Sequence, residues 1–187
     1  HQMFLHVLQS VPFVICDSRP ALNELRKLQD HCREYVMGLC IEIKRKGESD
    51  KNRMAELAAY FTHCKLERQH LVLVLNQAML AMAKLKNWGM ASSLAKRLLE
   101  LNPGQKQAEK AHKVLGQQND TNAVALNYDE KNPFTICGIS YQPLYRGTPT
   151  KKCGYCGQTY SVEYAGQPCP VCQIGEIGRD VPGLQES

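Results

Sequence analysis

The sequence predicts a mainly α protein: stacked helical hairpins over about the first 118 residues, then a small β-containing tail. Three observations carry that reading. Apolar residues recur at three- and four-residue spacings through most of the first two thirds of the chain. The periodicity then disappears in a stretch where Asn, Asp and Gln accumulate. Beyond it, tyrosines interleave with Gly and Pro, and two Cys-x-x-Cys pairs face each other. The implied division is a helical-hairpin domain over 1–118, a linker or extended segment over 119–133, and a four-cysteine zinc-binding tail with short strands over 134–187.

Asp17 and Ser18 cap a helix entered through Pro20, where a missing N–H does no harm. Its apolar stripe runs Leu22, Leu25, Cys32, Tyr35, Val36, Leu39, Ile43. Lys44, Arg45 and Lys46 complement the negative end of its dipole before Gly47 stops it. Ser49 and Asp50 open a second helix with Met54, Leu57, Ala58 and Phe61 on one face. A third covers about 67–86, with Leu71, Val74, Leu75, Ala78, Met82 and Leu85 inward. A fourth runs from about 89 to 101 and ends at Asn102-Pro103-Gly104. A fifth carries Ala108, Ala111, Val114 and Leu115 and ends at Gly116. Ala91, Leu98 and Pro103 occupy the small, apolar and helix-ending positions of the second half of a tetratricopeptide (TPR) unit, so the stack reads as TPR-like.

Cys153-Gly-Tyr-Cys156 and Cys169-Pro-Val-Cys172 bring four thiolates within reach of one tetrahedral ion, for which structural Zn2+ is the default and iron is chemically admissible. The intervening Gly157 to Pro168 is long enough for a short hairpin, giving a zinc-ribbon-like tail. Residues 134–187 are too few and too polar for a sizeable core, a shortage that a metal remedies. Chelation is therefore expected to loosen 134–187 and spare the helices. The other five cysteines, Cys16, Cys32, Cys40, Cys64 and Cys137, read as buried reduced thiols, and with them a reducing compartment is expected.

Several function classes are disfavoured. A net charge of +5 falls to about +3 once a zinc tetrathiolate is counted, short of a nucleic-acid-binding composition. Lys151 and Lys152 stand near tyrosines, but Glu163, Glu176 and Asp180 balance them. The six histidines form no His-Glu-x-x-His pair, His63-Cys64 has no evident acid, and no Gly-rich phosphate loop occurs, so no enzyme, catalytic residue or small-molecule substrate is expected. No signal peptide, membrane span or lipidation motif is read, so membrane association is expected to be indirect. The start at His1 is expected of a piece of a longer protein.

Longer motifs point to a family. Ala58-Ala-Tyr-Phe-Thr-His63, Lys84-Leu-Lys-Asn-Trp88 and Ala95-Lys-Arg-Leu-Leu-Glu-Leu101 resemble the C-terminal region of coatomer alpha subunits. So do Leu126-Asn-Tyr-Asp129, Asn132-Pro-Phe134, Ile136-Cys137, Tyr145-Arg-Gly147 and Glu176-Ile-Gly178 with Asp180. The resemblance implies a non-enzymatic module of the COPI vesicle coat that docks epsilon-COP alongside other coatomer subunits, in Golgi-to-ER and intra-Golgi transport. It also implies a cytoplasmic protein that reaches Golgi membranes and vesicles only through the assembled coat. Tyr128, Phe134, Tyr141 and Tyr145 are the candidate partner-binding residues, as aromatic anchors on an exposed extension. They can equally pack over the chain's own helices. A zinc-ribbon nucleic-acid-binding adaptor is the alternative function.

Overall fold

A computed structural model describes residues 1–117 and 121–181. Among the described residues six α-helices come first: α1 (Gln2–Ser10), α2 (Arg19–Lys46), α3 (Lys51–Phe61), α4 (Arg68–Lys84), α5 (Trp88–Glu100) and α6 (Gln105–Leu115). Four three-residue strands follow: β1 (Phe134–Ile136), β2 (Pro143–Tyr145), β3 (Thr150–Lys152) and β4 (Thr159–Ser161). The chain is thus mainly helical with two small antiparallel sheets, as the periodicity predicts. None of its described helices is long and apolar enough to cross a membrane. Contacts divide it into two compact units, Ile41–Tyr128 and a discontinuous one of His1–Cys40 with Asp129–Ser187. Residue 118 of the expected helical domain, 119 and 120 of the expected linker, and 182–187 of the tail lie outside the described residues.

The Ile41–Tyr128 unit is built from consecutive helices that pack as neighbours, α3 on α4, α4 on α5 and α5 on α6. Its core holds Leu57, Tyr60, Leu75, Met79, Met82, Leu94 and Leu98, all fully buried. Local chemistry explains the helix ends. Asp50 accepts from the Asn52 amide at 3.0 Å, capping α3. Lys86 takes φ +57° after α4, and the Asn87 and Lys86 amides reach back to the carbonyls of Met82 and Ala83, both at 3.0 Å. That is a Schellman turn. Asn102 takes φ +46° after α5. Arg68 then satisfies the carbonyls of Leu101 at 2.8 Å and Asn102 at 3.2 Å.

Residues 121–128, aperiodic in sequence, run pinned against this unit. The buried Asn87 amide pairs with both backbone groups of Val124, at 2.9 and 2.8 Å. The Asn122 carboxamide caps Met90 in the first turn of α5 at 3.2 Å. The Asn127 amide donates to Glu56 at 2.8 Å, and the Tyr60 hydroxyl donates to the Asn127 carbonyl.

In the other unit, α1 emerges as a separate element that the sequence reading did not single out, and Phe4 stacks on Tyr35 of α2 at 4.6 Å. Ser18 starts α2 as expected, its carbonyl accepting from Leu22 at 3.0 Å. The predicted stripe of α2 breaks at its end: Ile43 is 61% exposed, whereas Met37 and Ile41 are buried. The buried face of this 28-residue helix is not continuous, because residues up to Cys40 pack in one unit and those from Ile41 in the other.

The tail's hairpins pair in register, Phe134 with Tyr145 at the strand ends and Lys151 with Tyr160 at the strand centres. Gln158 joins them, donating to the Ile136 carbonyl at 2.9 Å, while the Gly138 amide donates to Thr159 at 3.1 Å. The expected hairpin inside 157–168 is not what forms. β4 instead pairs back to β3, so the first Cys-x-x-Cys becomes the hairpin's turn, and a 3-10 turn (Val162–Tyr164) follows.

Candidate metal centre

Two turns of the same design present the four sulfurs. In each, the residue four positions after the leading cysteine has positive φ and donates its amide to that cysteine's carbonyl. Gly157 (φ +73°) reaches Cys153 at 2.9 Å and Gln173 (φ +60°) reaches Cys169 at 2.9 Å. The leading cysteine's amide is tied down as well, Cys153 to the Gln158 carbonyl at 2.9 Å and Cys169 to Gly175 at 2.8 Å. Bridges between Cys153 and Ile177 and between Pro168 and Glu176 set one turn beside the other.

The result is a buried cluster in which the Sγ atoms of Cys153, Cys156, Cys169 and Cys172 all lie within 4.8 Å of one another. Cys153 and Cys172 are 3.7 Å apart, as are Cys156 and Cys169. A tetrahedral tetrathiolate with Zn–S bonds of about 2.3 Å has sulfur–sulfur edges of about 3.8 Å, so the donor set fits a zinc-sized ion. None of the nine cysteines is in a disulfide. The Gly175 amide donates to Cys172 Sγ at 3.5 Å. A Cβ on Gly175 would stand 2.6 Å from Cys153 Sγ, so sulfur already occupies that space.

Electrostatics agree with ligation. The hydrogen bond with Cys156 leads in drawing the Cys153 thiol down to about 7, and Cys169 is drawn lower still, first by Cys153. Cys156 and Cys172 are pushed up, each first by its hydrogen bond with Cys153. Two positions are thus drawn toward thiolate, and a dication would favour deprotonation of the others. The Tyr160 hydroxyl contacts Cys169 Sγ at 2.9 Å, and burial followed by that contact raises its phenol, so it stays a donor. Nothing in the spacing of the motifs announced Tyr160.

Sequence reasoning also missed what holds the first turn from outside. Gln29 donates to the Tyr155 carbonyl at 2.9 Å, and Arg33 donates to the Cys156 carbonyl at 2.8 Å. The Tyr155 hydroxyl in turn donates to Leu8 at 2.6 Å.

The four candidate partner residues are not gathered into one cluster. Tyr128, 4% exposed, belongs to the Ile41–Tyr128 unit, its hydroxyl 3.0 Å from His63 Nε2 and its ring beside Tyr60. Phe134 and Tyr145 meet edge to face at 5.5 Å on the first hairpin, both half-buried, and the Tyr145 hydroxyl accepts from the Asp129 amide at 3.0 Å. Tyr141 (φ +53°) is half-buried; burial first, then the neighbouring Cys40, raises its phenol to about 12.

One Cys–His contact not foreseen from the motifs is Cys40 Sγ to His1 Nε2 at 3.3 Å. Burial raises the Cys40 thiol, the opposite of an activated nucleophile. Lys151 and Lys152 are exposed on β3, and Glu176 pairs with Arg179 at 3.3 Å.

Comparison with known proteins adds a family. The family described as the C-terminus of the coatomer (COPI) alpha subunit matches residues 1–187. The chain is 46% identical to coatomer subunit alpha of Dictyostelium discoideum over 97% of its length and 16% of that protein's. It is 43% identical to coatomer subunit alpha-3 of Oryza sativa, covering 98% of the chain and 15% of the relative. With coatomer subunit alpha of Saccharomyces cerevisiae the identity is 29% over 98% of the chain and 16% of the relative. The chain therefore spans about a sixth of the length of these curated relatives.

Proposed function

Because the chain belongs to the family formed by the C-terminal regions of coatomer (COPI) alpha subunits, we propose that it is a non-enzymatic scaffold module of the COPI vesicle coat. It docks epsilon-COP and assembles with other coatomer subunits. Its place is the cytosolic face of Golgi membranes and COPI vesicles, reached through the assembled coat, in Golgi-to-ER and intra-Golgi transport. The observation that carries this reading is a family match running from the first residue to the last. The succession of neighbouring helices α3 to α6 supports a TPR-like hairpin stack, a form suited to holding extended partners.

Within this reading the four-cysteine cluster is structural. Cys153, Cys156, Cys169 and Cys172 would hold one Zn2+ and close all four of its positions, leaving none for substrate. The ion supplies cross-linking of two turns in a tail whose strands are only three residues long. Partner contact falls to the aromatic extension. Phe134, Tyr141 and Tyr145 keep accessible area there, and Tyr128 shapes the segment that leads into it by packing on Tyr60 and His63.

The test is co-purification and titration with epsilon-COP from the same organism. A complex at micromolar concentration or tighter is expected, weakened by Phe134→Ala with Tyr145→Ala. Absence of a complex would overturn the docking. Salt-sensitive binding of RNA or DNA would instead favour the nucleic-acid adaptor, through the exposed Lys151 and Lys152.

A further inference from the structure

We infer that the four-cysteine centre is supported by side chains more than a hundred residues away: Gln29 and Arg33 of α2 are positioning residues for the metal. Metal loading and docking of α1 and α2 onto the tail are then one coupled equilibrium. The inference rests on the metal reading given above and extends it to the first forty residues.

Gln29 and Arg33 are four apart, hence stacked on one face of α2. They donate to the consecutive carbonyls of Tyr155 and Cys156, at 2.9 and 2.8 Å. These carbonyls belong to the turn that presents the first pair of sulfurs. Gln29 is 8% exposed, so its amide is shielded from competing solvent. Arg33 is held in place by Asp30 at 2.7 Å and Glu34 at 2.9 Å. Those two carboxylates offset the guanidinium charge, so Arg33 acts as an aimed donor rather than as a counter-charge for the tetrathiolate.

A third bond runs the other way. The last four carbonyls of a helix lack intrahelical donors, and Leu8 lies in the last turn of α1. The Tyr155 hydroxyl, from the middle of the Cys153-to-Cys156 turn, satisfies the Leu8 carbonyl at 2.6 Å. A turn clamped by metal fixes Tyr155 and both carbonyls where α1 and α2 need them. A turn without metal is free to move all three partners at once. The coupling must work in both directions, since whatever fixes the turn also pre-arranges the sulfurs.

The whole chain is tested in two ways. Zinc affinity is measured by competition with a chromophoric chelator for the parent protein, Gln29→Met, Arg33→Met and a control, Lys27→Met, at an exposed position of the same helix. Hydrogen exchange of the unaltered protein is followed with zinc and after chelation. We expect Gln29→Met and Arg33→Met each to weaken zinc by about tenfold or more, as changes beside metal ligands typically do, and Lys27→Met to leave it unchanged. Chelation is expected to raise exchange in 2–10 and 19–40 as well as in 150–178. Unchanged affinity in both Gln29→Met and Arg33→Met, or helices whose exchange ignores chelation, overturns the coupling while leaving the metal site standing. A parent protein that takes up no zinc overturns both readings.

Discussion

At the scale of single residues, Tyr160 shows how much of the candidate metal centre lies outside its four cysteines. The side chain is fully buried, with its hydroxyl at Cys169 Sγ and its ring against Gly138, where an added Cβ would stand 2.6 Å from Cε1. Tyr160→Phe keeps the ring and removes the donor, so we expect zinc to be held about tenfold less tightly with the fold retained, read by chelator competition. Gly138→Ala forces the ring aside and is expected to cost about 1–3 kcal/mol, read by denaturant unfolding. His63 offers a pH test. Burial, then the charge of Arg97, lowers its imidazole to about 4. The unfolded state, titrating near 6.5, then binds more protons between these values. Stability is fully present above about pH 6.5 and is lost as pH falls toward 4. The residue is exposed as a whole, so the slope should stay below the full ~1.4 kcal/mol per pH unit. An NMR titration placing the His63 midpoint near 6.5 would refute this. The cysteine spacing made the clustering of Cys153, Cys156, Cys169 and Cys172 legible, because a Cys-x-x-Cys turn is a local pattern. Gln29, Arg33 and Tyr160 left no such pattern, because each acts on a partner fixed only by the tertiary fold.

At the scale of elements, helices were legible where one face stays buried along their length. α3, α4, α5 and α6 follow their predicted periods closely, with Leu57, Val74, Leu75, Ala78, Met82, Leu98, Ala111 and Val114 buried as expected. α2 departs from its period at Ile43, where its buried face changes, and α1 is a nine-residue helix with no side-chain cap to mark its start. Segment 121–128 read as a linker because its bonds are made by Asn87, Glu56 and Tyr60, side chains that lie 30 or more residues upstream. Two substitutions probe these elements. Asp50→Ala removes the cap of α3 and should cost about 1 kcal/mol. Leu98→Ala opens a cavity in the fully buried face of α5 and should cost about 2–5 kcal/mol. Chemical denaturation measures both. A loss for Leu98→Ala no larger than that for Asp50→Ala would mean that α5 does not anchor this core.

At the scale of the whole molecule, the sequence marks where periodicity stops, whereas the contacts group residues by what they touch. The tail therefore shares a unit with His1–Cys40, although the whole of Ile41–Tyr128 intervenes in sequence. The two units differ in what holds them. Ile41–Tyr128 has a continuous apolar core whose large members, Tyr60, Leu75, Met79, Met82, Leu94 and Leu98, are sealed from solvent without any help from a metal. The tail has two hairpins of three-residue strands, too little buried surface to stand alone, and a thiol cluster where a larger domain would place apolar side chains. A zinc ion held by the folded tail alone would add stability by mass action, about 2.7 kcal/mol at a free concentration a hundredfold above its dissociation constant. We therefore expect zinc titration to raise the melting temperature in proportion to the logarithm of free metal, and chelation to raise amide exchange across 134–181. Amides of α3 to α6 should keep their protection after chelation, because these helices belong to the unit with its own buried apolar core. Loss of that protection in step with the tail would show that the metal sustains both units, and the separate core of Ile41–Tyr128 would then have to be abandoned as the source of its stability.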